Sequence, residues 1–230
     1  MSRAIFFDND GVLVNTEQYY FYATQEIMAE HGYELTLANY VEHYLVGNTG
    51  LFDVLCNDAQ SSAEQKERQK DELRRRRDRR FLEYLNTADI EVPGVGEMLG
   101  QLKGRFSKTQ KGACSIGVVT SSHREHFEAI HRRTGFAEYF DFILTREDYG
   151  RSKPDPEPYL LALSRSGVQP SEVLVIEDSP RGVTAALAAG LSCWVVPSMF
   201  TENLVFPNSV RKIRSWDEVV EWGLGSSGIG

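Results

Sequence analysis

Two carboxylates two residues apart, Asp8 and Asp10, follow the apolar run Ile5-Phe6-Phe7 and precede Gly11. Residues i and i+2 of an extended segment point to one side, so both acids would leave a buried strand facing a common space. Unpartnered carboxylates that close repel each other, and at least one is pushed toward protonation. A divalent cation removes that penalty, and oxygen donors suit magnesium. Taken alone, the stretch reads equally well as a strand entering an Asp-Gly turn. The chemistry needs partners from further down the chain.

Such partners stand at the ends of other apolar runs. Ile116-Gly117-Val118-Val119 ends in Thr120-Ser121-Ser122, whose hydroxyls and backbone N–H groups suit a phosphate oxygen. Val173-Leu174-Val175-Ile176 ends in Glu177-Asp178-Ser179, which brings more carboxylate. Lys153 lies beyond the run at Phe142, where a cation would neutralise both a nucleophile and a transferring phosphoryl group. Each piece has a plain structural reading: two helix caps and a surface lysine before a proline turn. Acid, hydroxyl, cation and acid at the strand ends of one sheet form a constellation that the plain readings do not explain jointly.

The elements that must hold these groups follow from periodicity. From residue 115 onward strands alternate with helices: strands at 115–119, 142–145, 173–176 and 193–196, helices at 123–134, 156–166 and 182–189. That alternation predicts a parallel sheet with helices on both faces, to which the strand at Ile5 belongs by type. Parallel sheets bind their ligands at the carboxyl ends of strands. Between them the pattern is helical, beginning with a helix to about Glu30 whose apolar positions are Tyr20, Ala23, Ile27 and Met28. Gly47-Asn48-Thr49-Gly50 reads as a turn, and Val92-Pro93-Gly94 restarts a helix toward Leu102 before a polar loop at 104–112. The expected organisation is a catalytic core at 1–15 and 93–222, a helical insertion at 16–92 and a flexible tail at 223–230. Tyr19, Tyr20 and Tyr22 fit core packing better than a ligand pocket.

Bulk properties narrow the class. A net charge of −8 argues against a general nucleic-acid binder. Three widely separated cysteines without metal-type spacing point to a reducing, cytoplasmic setting and no disulfide framework. No apolar run approaches a membrane span, and Met1-Ser2-Arg3 runs straight into the first strand, leaving no room for a signal peptide. The charged segment at 61–80 reads as a solvated helix face rather than a phosphate-binding patch, because Glu and Asp are interleaved with its Lys and Arg. A monomer is the default expectation.

Four segments carry a family resemblance: Phe7-Asp8-Asn9-Asp10-Gly11-Val12-Leu13-Val14, Val119-Thr120-Ser121-Ser122, Lys153-Pro154-Asp155-Pro156 and Ile176-Glu177-Asp178-Ser179. In content and order they resemble the signature motifs of the haloacid dehalogenase superfamily, and residues 177–190 are most similar to its β-phosphoglucomutase-like branch and related phosphatases. The resemblance implies a Rossmann-like core, a mobile helical cap and Mg²⁺-dependent phosphoryl transfer through an aspartyl-phosphate. It implies Asp8 as nucleophile and metal ligand. Asp10 would be acid, then base, and bind metal through its backbone carbonyl. Thr120, Ser121 and Lys153 would bind phosphate, while Glu177 and Asp178 complete the metal shell. The expected substrate is a small phosphorylated metabolite of the sugar-phosphate kind. The alternative is a phosphoglucomutase-type transfer, against which stand Tyr20 in place of a cap histidine and the lack of a cap arginine near Thr49. Asn15 also replaces a common aspartate. Asp10 argues against a hydrolytic dehalogenase or phosphonate hydrolase. A phospho-accepting receiver domain has no lid after its first strand, and a silent binding relative would not retain the full acid, hydroxyl and lysine set.

Overall fold

Every residue of the first strand, β1 (Ala4–Phe7), is apolar and buried, as a strand covered on both faces requires. In this computed structural model, which describes residues 3–47, 50–106 and 115–223, β1 leads into a helical stretch. It comprises α1 (Glu17–Ala29), α2 (Leu37–Tyr40), a π-helical segment at Val41–Val46, a 3-10 turn at Leu51–Asp53 and α3 (Ala63–Thr87). After α4 (Val95–Phe106) the alternation begins: β2 (Ser115–Val119), α5 (Arg124–Thr134), β3 (Phe142–Leu144), α6 (Glu157–Ser166) and β4 (Val173–Glu177). It closes with α7 (Pro180–Ala188), β5 (Ser192–Val195), β6 (Arg211–Lys212) and α8 (Trp216–Gly223).

The six strands form one parallel sheet in the order β3-β2-β1-β4-β5-β6. Phe7 pairs with Val118 on one side and Ile176 on the other. The strand order reverses at β1, which makes its carboxyl end the switch point where such sheets bind ligands. Side-chain alternation divides the core into two layers. Ile5, Phe7, Val118, Leu174 and Ile176 pack with Val95, Met98, Leu99 and Leu102 of α4 and with Val219 and Val220 of α8. Ala4, Phe6, Val173 and Val175 pack with Tyr159 and Ala162 of α6 and with Val183 and Ala186 of α7.

Two local expectations need correction. The helix α4 continues through Gly104 to Phe106, where a loop was expected; the rest of that loop, 107–112, lies outside the described residues. Residues 95, 98, 99 and 102 form one buried stripe, and burying several large apolar side chains at about 1.5–3 kcal/mol each outweighs the ~1 kcal/mol cost of a helical glycine. The strand β6 and the helix α8 were not anticipated. β6 is only Arg211–Lys212, too short to show periodicity, while α8 is held by Val219, Val220 and a Trp216 Nε1 bond to Pro93 O at 3.1 Å. Of the expected tail, residues 224–230 lie outside the described residues.

The chain divides into two compact units, Met1–Asn15 with Glu91–Gly230, and Thr16–Ile90. In the helical unit α1 buries Phe21, Ala23, Thr24, Ile27 and Met28, and α3 buries Leu73, Arg77, Phe81 and Leu85 at four-residue spacing. Phe21, not Tyr20, is the fully buried aromatic of α1; Tyr20 is half-buried, stacked on Tyr44 at 5.5 Å and edge-on to Phe81 at 5.4 Å. Tyr22 is exposed. The α3 charges are largely matched by acids: Arg68 with Glu64, Arg74 with Glu67 and Asp71, Arg76 with Glu30, Arg80 with Glu26. This is the solvated, ion-paired face expected of the segment. Asn48 and Thr49, including the position of the expected cap arginine, lie outside the described residues. No described helix is long and apolar enough to cross a membrane.

Candidate active site

Parity along the strands decides which side each acid takes. Asp8 follows Ala4 and Phe6 in alternation, and its N–H donates to Ile176 O at 2.8 Å. Glu177 follows Val173 and Val175 on the neighbouring strand, so the two carboxylates stand side by side at the carboxyl end of the sheet. Lys153, from the loop before α6, enters between them. Its Nζ donates at 2.7 Å to Asp8 Oδ1, to Glu177 Oε1 and to Val119 O, and lies 5.0 Å over the ring of Tyr159. All three ammonium protons are thereby used. Burial works against the ammonium, but Asp8 and Glu177 outweigh it and hold Lys153 above the ordinary lysine value. Burial pushes the Asp8 carboxyl well above the usual range; Lys153 opposes this and the charges of Glu177 and Asp10 add to it.

Glu177 is wholly buried and engaged on both oxygens. Tyr159 OH also donates to Oε1 at 2.7 Å, and Ser179 Oγ and Asp178 N donate to Oε2 at 3.1 and 3.2 Å. Its neighbour must be glycine, since a Cβ on Gly182 would stand 1.9 Å from the Glu177 carboxyl carbon. Asp178 presses equally closely on the first loop. A Cβ on Gly11, whose φ is +84°, would lie 2.2 Å from Asp178 Oδ2.

Asp8, Glu177 and Asp178 each offer an oxygen within 4.8 Å of the others. Three buried carboxylates gathered this closely are costly to bury unless positive charge offsets them, and Lys153 supplies one ammonium to Asp8 and Glu177. An all-oxygen donor set of this kind fits a hard divalent cation such as Mg²⁺.

Asp10 reaches the site differently from the sequence expectation. Extended geometry ends at Phe7, and residues 9–14 fold into a turn in which Leu13 N and Val14 N donate to Asn9 O at 2.8 and 3.1 Å. The i, i+2 argument therefore does not apply, although Asp10 remains near enough to raise Asp8. The Asp10 carboxylate meets neutral donors on one oxygen: Ser122 Oγ at 2.7 Å, Asn9 Nδ2 at 3.2 Å and Thr120 Oγ1 at 3.4 Å, all to Oδ2. Thr120 is buried and also accepts from Ser122 N at 3.0 Å. Ser121 is exposed, and the serine hydroxyl bonded to the Asp10 carboxylate is that of Ser122.

Sequence reasoning assigned nothing to Asn9, Tyr159 or His131. Asn9 is fully buried, and the turn that begins at it directs its side chain toward α5. There His131 Nε2 meets Asn9 Oδ1 at 2.8 Å, while Nδ1 meets Thr134 Oγ1 at 3.0 Å. Burial lowers His131 to about 4, against the opposing charge of Asp10. The available signal was the i, i+4 spacing of Phe127 and His131, which sets both on the buried face of α5.

The arrangement thus combines a buried carboxylate facing a lysine, a second acid on neutral donors and an acidic cluster. The family model for haloacid dehalogenase-like hydrolases matches residues 2–190. YhcW of Bacillus subtilis (strain 168) is 32% identical over 221 residues, covering 95% of this chain and 94% of that one. The phosphorylated carbohydrates phosphatase of Thermotoga maritima is 34% identical over 190 residues, 82% of each chain. A variant of CbbY from Rhodobacter sphaeroides, crystallised with xylulose-(1,5)bisphosphate, has a similar structure: TM-score 0.77, 27% identity, 95% of this chain and 96% of that one. The family match runs from β1 past α7 and so takes in every strand end that carries the acid cluster: the chain belongs to the haloacid dehalogenase-like hydrolase family.

Proposed function

We propose that the protein is a Mg²⁺-dependent phosphatase that hydrolyses a small phosphomonoester of the sugar-phosphate kind through an aspartyl-phosphate on Asp8. The observation that carries this is the unequal setting of the two acids. Asp8 faces Lys153 and the acidic cluster, whereas Asp10 rests on Ser122, Asn9 and Thr120. Titratable groups in such different surroundings divide into nucleophile and proton carrier. The Thermotoga maritima relative, named for phosphorylated carbohydrates, supports the substrate class.

In this reading Asp8 attacks phosphorus, the bond to the leaving oxygen breaks, and that oxygen takes the proton of the Asp10 carboxyl. Asp10 then accepts a proton from the water that attacks the acyl phosphate, which returns Asp8 and releases phosphate. Lys153 keeps Asp8 oriented and spreads the charge of the transferring group. Thr120 borders the phosphoryl oxygens, and Ser121 contributes there through its backbone N–H rather than its hydroxyl. Asp8, Asp178 and the Asp10 carbonyl would hold Mg²⁺, with Glu177 acting mainly through Lys153; the ion would supply charge neutralisation when bound. The helical unit Thr16–Ile90 serves as the substrate-selecting cap. The free, buried Cys56 and Cys193 suit a reducing cytoplasmic setting.

The test is phosphate release from a panel of sugar phosphates with and without Mg²⁺. Asp8→Asn should lose about 10³-fold or more in kcat. Asp10→Asn, given an aryl phosphate, should accumulate phosphoenzyme detectable by intact mass, and Asp8→Asn should not. Turnover retained in Asp8→Asn would sink the mechanism.

A further inference from the structure

Beneath the acid pair runs a chain of hydrogen bonds whose polarity is set at its carboxylate end. Phe136 N donates to Thr134 Oγ1 at 3.2 Å, so that hydroxyl can turn its own proton to His131 Nδ1, 3.0 Å away. Asn9 Oδ1 accepts only, so His131 Nε2, at 2.8 Å, must carry the ring proton. The Asn9 amide N–H group is then left for Asp10 Oδ2, at 3.2 Å. The carboxylate at one end sets this orientation of the amide and, through it, this tautomer of the ring, and the Thr134 hydroxyl at the other end is free to donate in the matching sense. The ring is clamped by Phe127 at 4.2 Å and Phe140 at 5.9 Å.

We propose that His131 is a positioning residue for the Asp10 carboxylate, acting through Asn9, so that α5 sets the angle at which Asp10 meets the leaving oxygen. This rests on the reading of Asp10 as proton carrier. Oδ2 receives Ser122 and Thr120 from one loop and Asn9 from the turn, and Asn9 helps to fix the rotation of the carboxyl group. Without His131 the Asn9 amide loses the partner that keeps its N–H toward Asp10, and an angstrom of misplacement at a reacting group costs up to about 10²-fold in rate. Burial keeps the ring neutral at neutral pH, with the lone pair on Nδ1 that Thr134 requires.

The readout is kcat/KM on two substrates: the fastest sugar phosphate of the panel, whose leaving alkoxide needs a proton, and 4-nitrophenyl phosphate, whose leaving group needs little. His131→Phe should lower the sugar phosphate value about tenfold more than the aryl value. His131→Gln, whose amide N–H can stand in for Nε2–H, should recover most of that difference. Thr134→Val leaves the ring in place but frees its tautomer, and should shift the ratio the same way by a smaller factor even if His131→Phe does not fold. An unchanged ratio in His131→Phe or Thr134→Val, or a Gln variant no better than Phe, overturns the inference. Asp10→Asn separates the two readings. If it shows no leaving-group preference, the role of Asp10 itself falls; if it does while the α5 variants do not, only the role of His131 falls.

Discussion

Lys153 in the sheet unit and Arg77 in the helical unit are both buried cations, 4% and 8% exposed, held in opposite ways. Lys153 is surrounded by formal charge and full hydrogen-bond acceptors: Asp8, Glu177 and Val119 O, with Asp178 alongside. Arg77 has one carboxylate, Asp78, which accepts from its Nε and Nη2 at 3.0 and 2.8 Å, and two aromatic faces, Tyr20 at 4.4 Å and Phe52 at 5.7 Å. The first surrounding gathers three carboxylates, Asp8, Glu177 and Asp178, close enough to share one ion. The second is balanced by one acid and π-faces, which is what a structural charge needs. Burying a charge is common to both; gathering several carboxylates around it is peculiar to the first.

The largest predicted effect tests that contrast directly. Lys153→Met should abolish turnover and cost about 3–5 kcal/mol, because it strands buried carboxylates without their cation. Arg77→Met should cost about 2 kcal/mol, since Asp78 keeps a quarter of its side chain in water and can be solvated. Urea unfolding of both variants measures this, and equal losses would erase the distinction.

A second effect belongs to the sheet unit, since the helical unit's His31 and His43 are both exposed. His131 titrates near 4 in the folded chain against about 6.5 unfolded. The unfolded chain therefore takes up the proton first as pH falls. The stability contributed by the neutral buried ring is complete above about 6.5 and is lost between there and 4, by about 3 kcal/mol. Unfolding free energies at pH 7 and pH 4 should show this loss, and His131→Gln should flatten it. An equally steep profile in that variant would assign the loss to other groups.

Mg²⁺ should raise the thermal midpoint by mass action, by an amount equivalent to about 2.7 kcal/mol at one hundred times its dissociation constant. Asp178→Asn should blunt the shift and Arg77→Met should keep it; a shift retained in Asp178→Asn would place the ion elsewhere. The smallest effect sharpens the view of the helical unit as locally held. Ser62 Oγ accepts from Gln65 N at 3.2 Å, and Gln65 Oε1 accepts from Ser62 N at 2.8 Å. Ser62→Ala should cost about 1 kcal/mol, with kcat unchanged. Loss of activity at constant stability would tie the α3 cap to catalysis.

Much of this molecule is written in short-range patterns. Short continuous apolar runs locate β1, β2 and β4, and period-3.6 spacing locates most helices, because each pattern reports which faces of a local element avoid water. The Asp8, Thr120, Lys153 and Asp178 motifs stand where apolar runs end, so their convergence follows once those runs form one parallel sheet. Where a pattern was too short, as in Arg211–Lys212, or was interrupted by a tolerated glycine, as at Gly104, the reading failed.

What only the tertiary structure decided is which atoms meet. Strand parity and register set Asp8 beside Glu177, and the turn after β1 aims Asn9 at His131, 122 residues away. A turn rather than a strand delivers Asp10, and the loop after β2 presents Ser122 instead of Ser121. The physical reason is range. Local sequence specifies the free energy of a segment against water, whereas hydrogen-bond pairing at 2.7–3.4 Å depends on the packing of α5, β1 and β4, to which many distant residues contribute. The residue types that do the chemistry were determined by the sequence alone; the partners that hold them were determined by the fold.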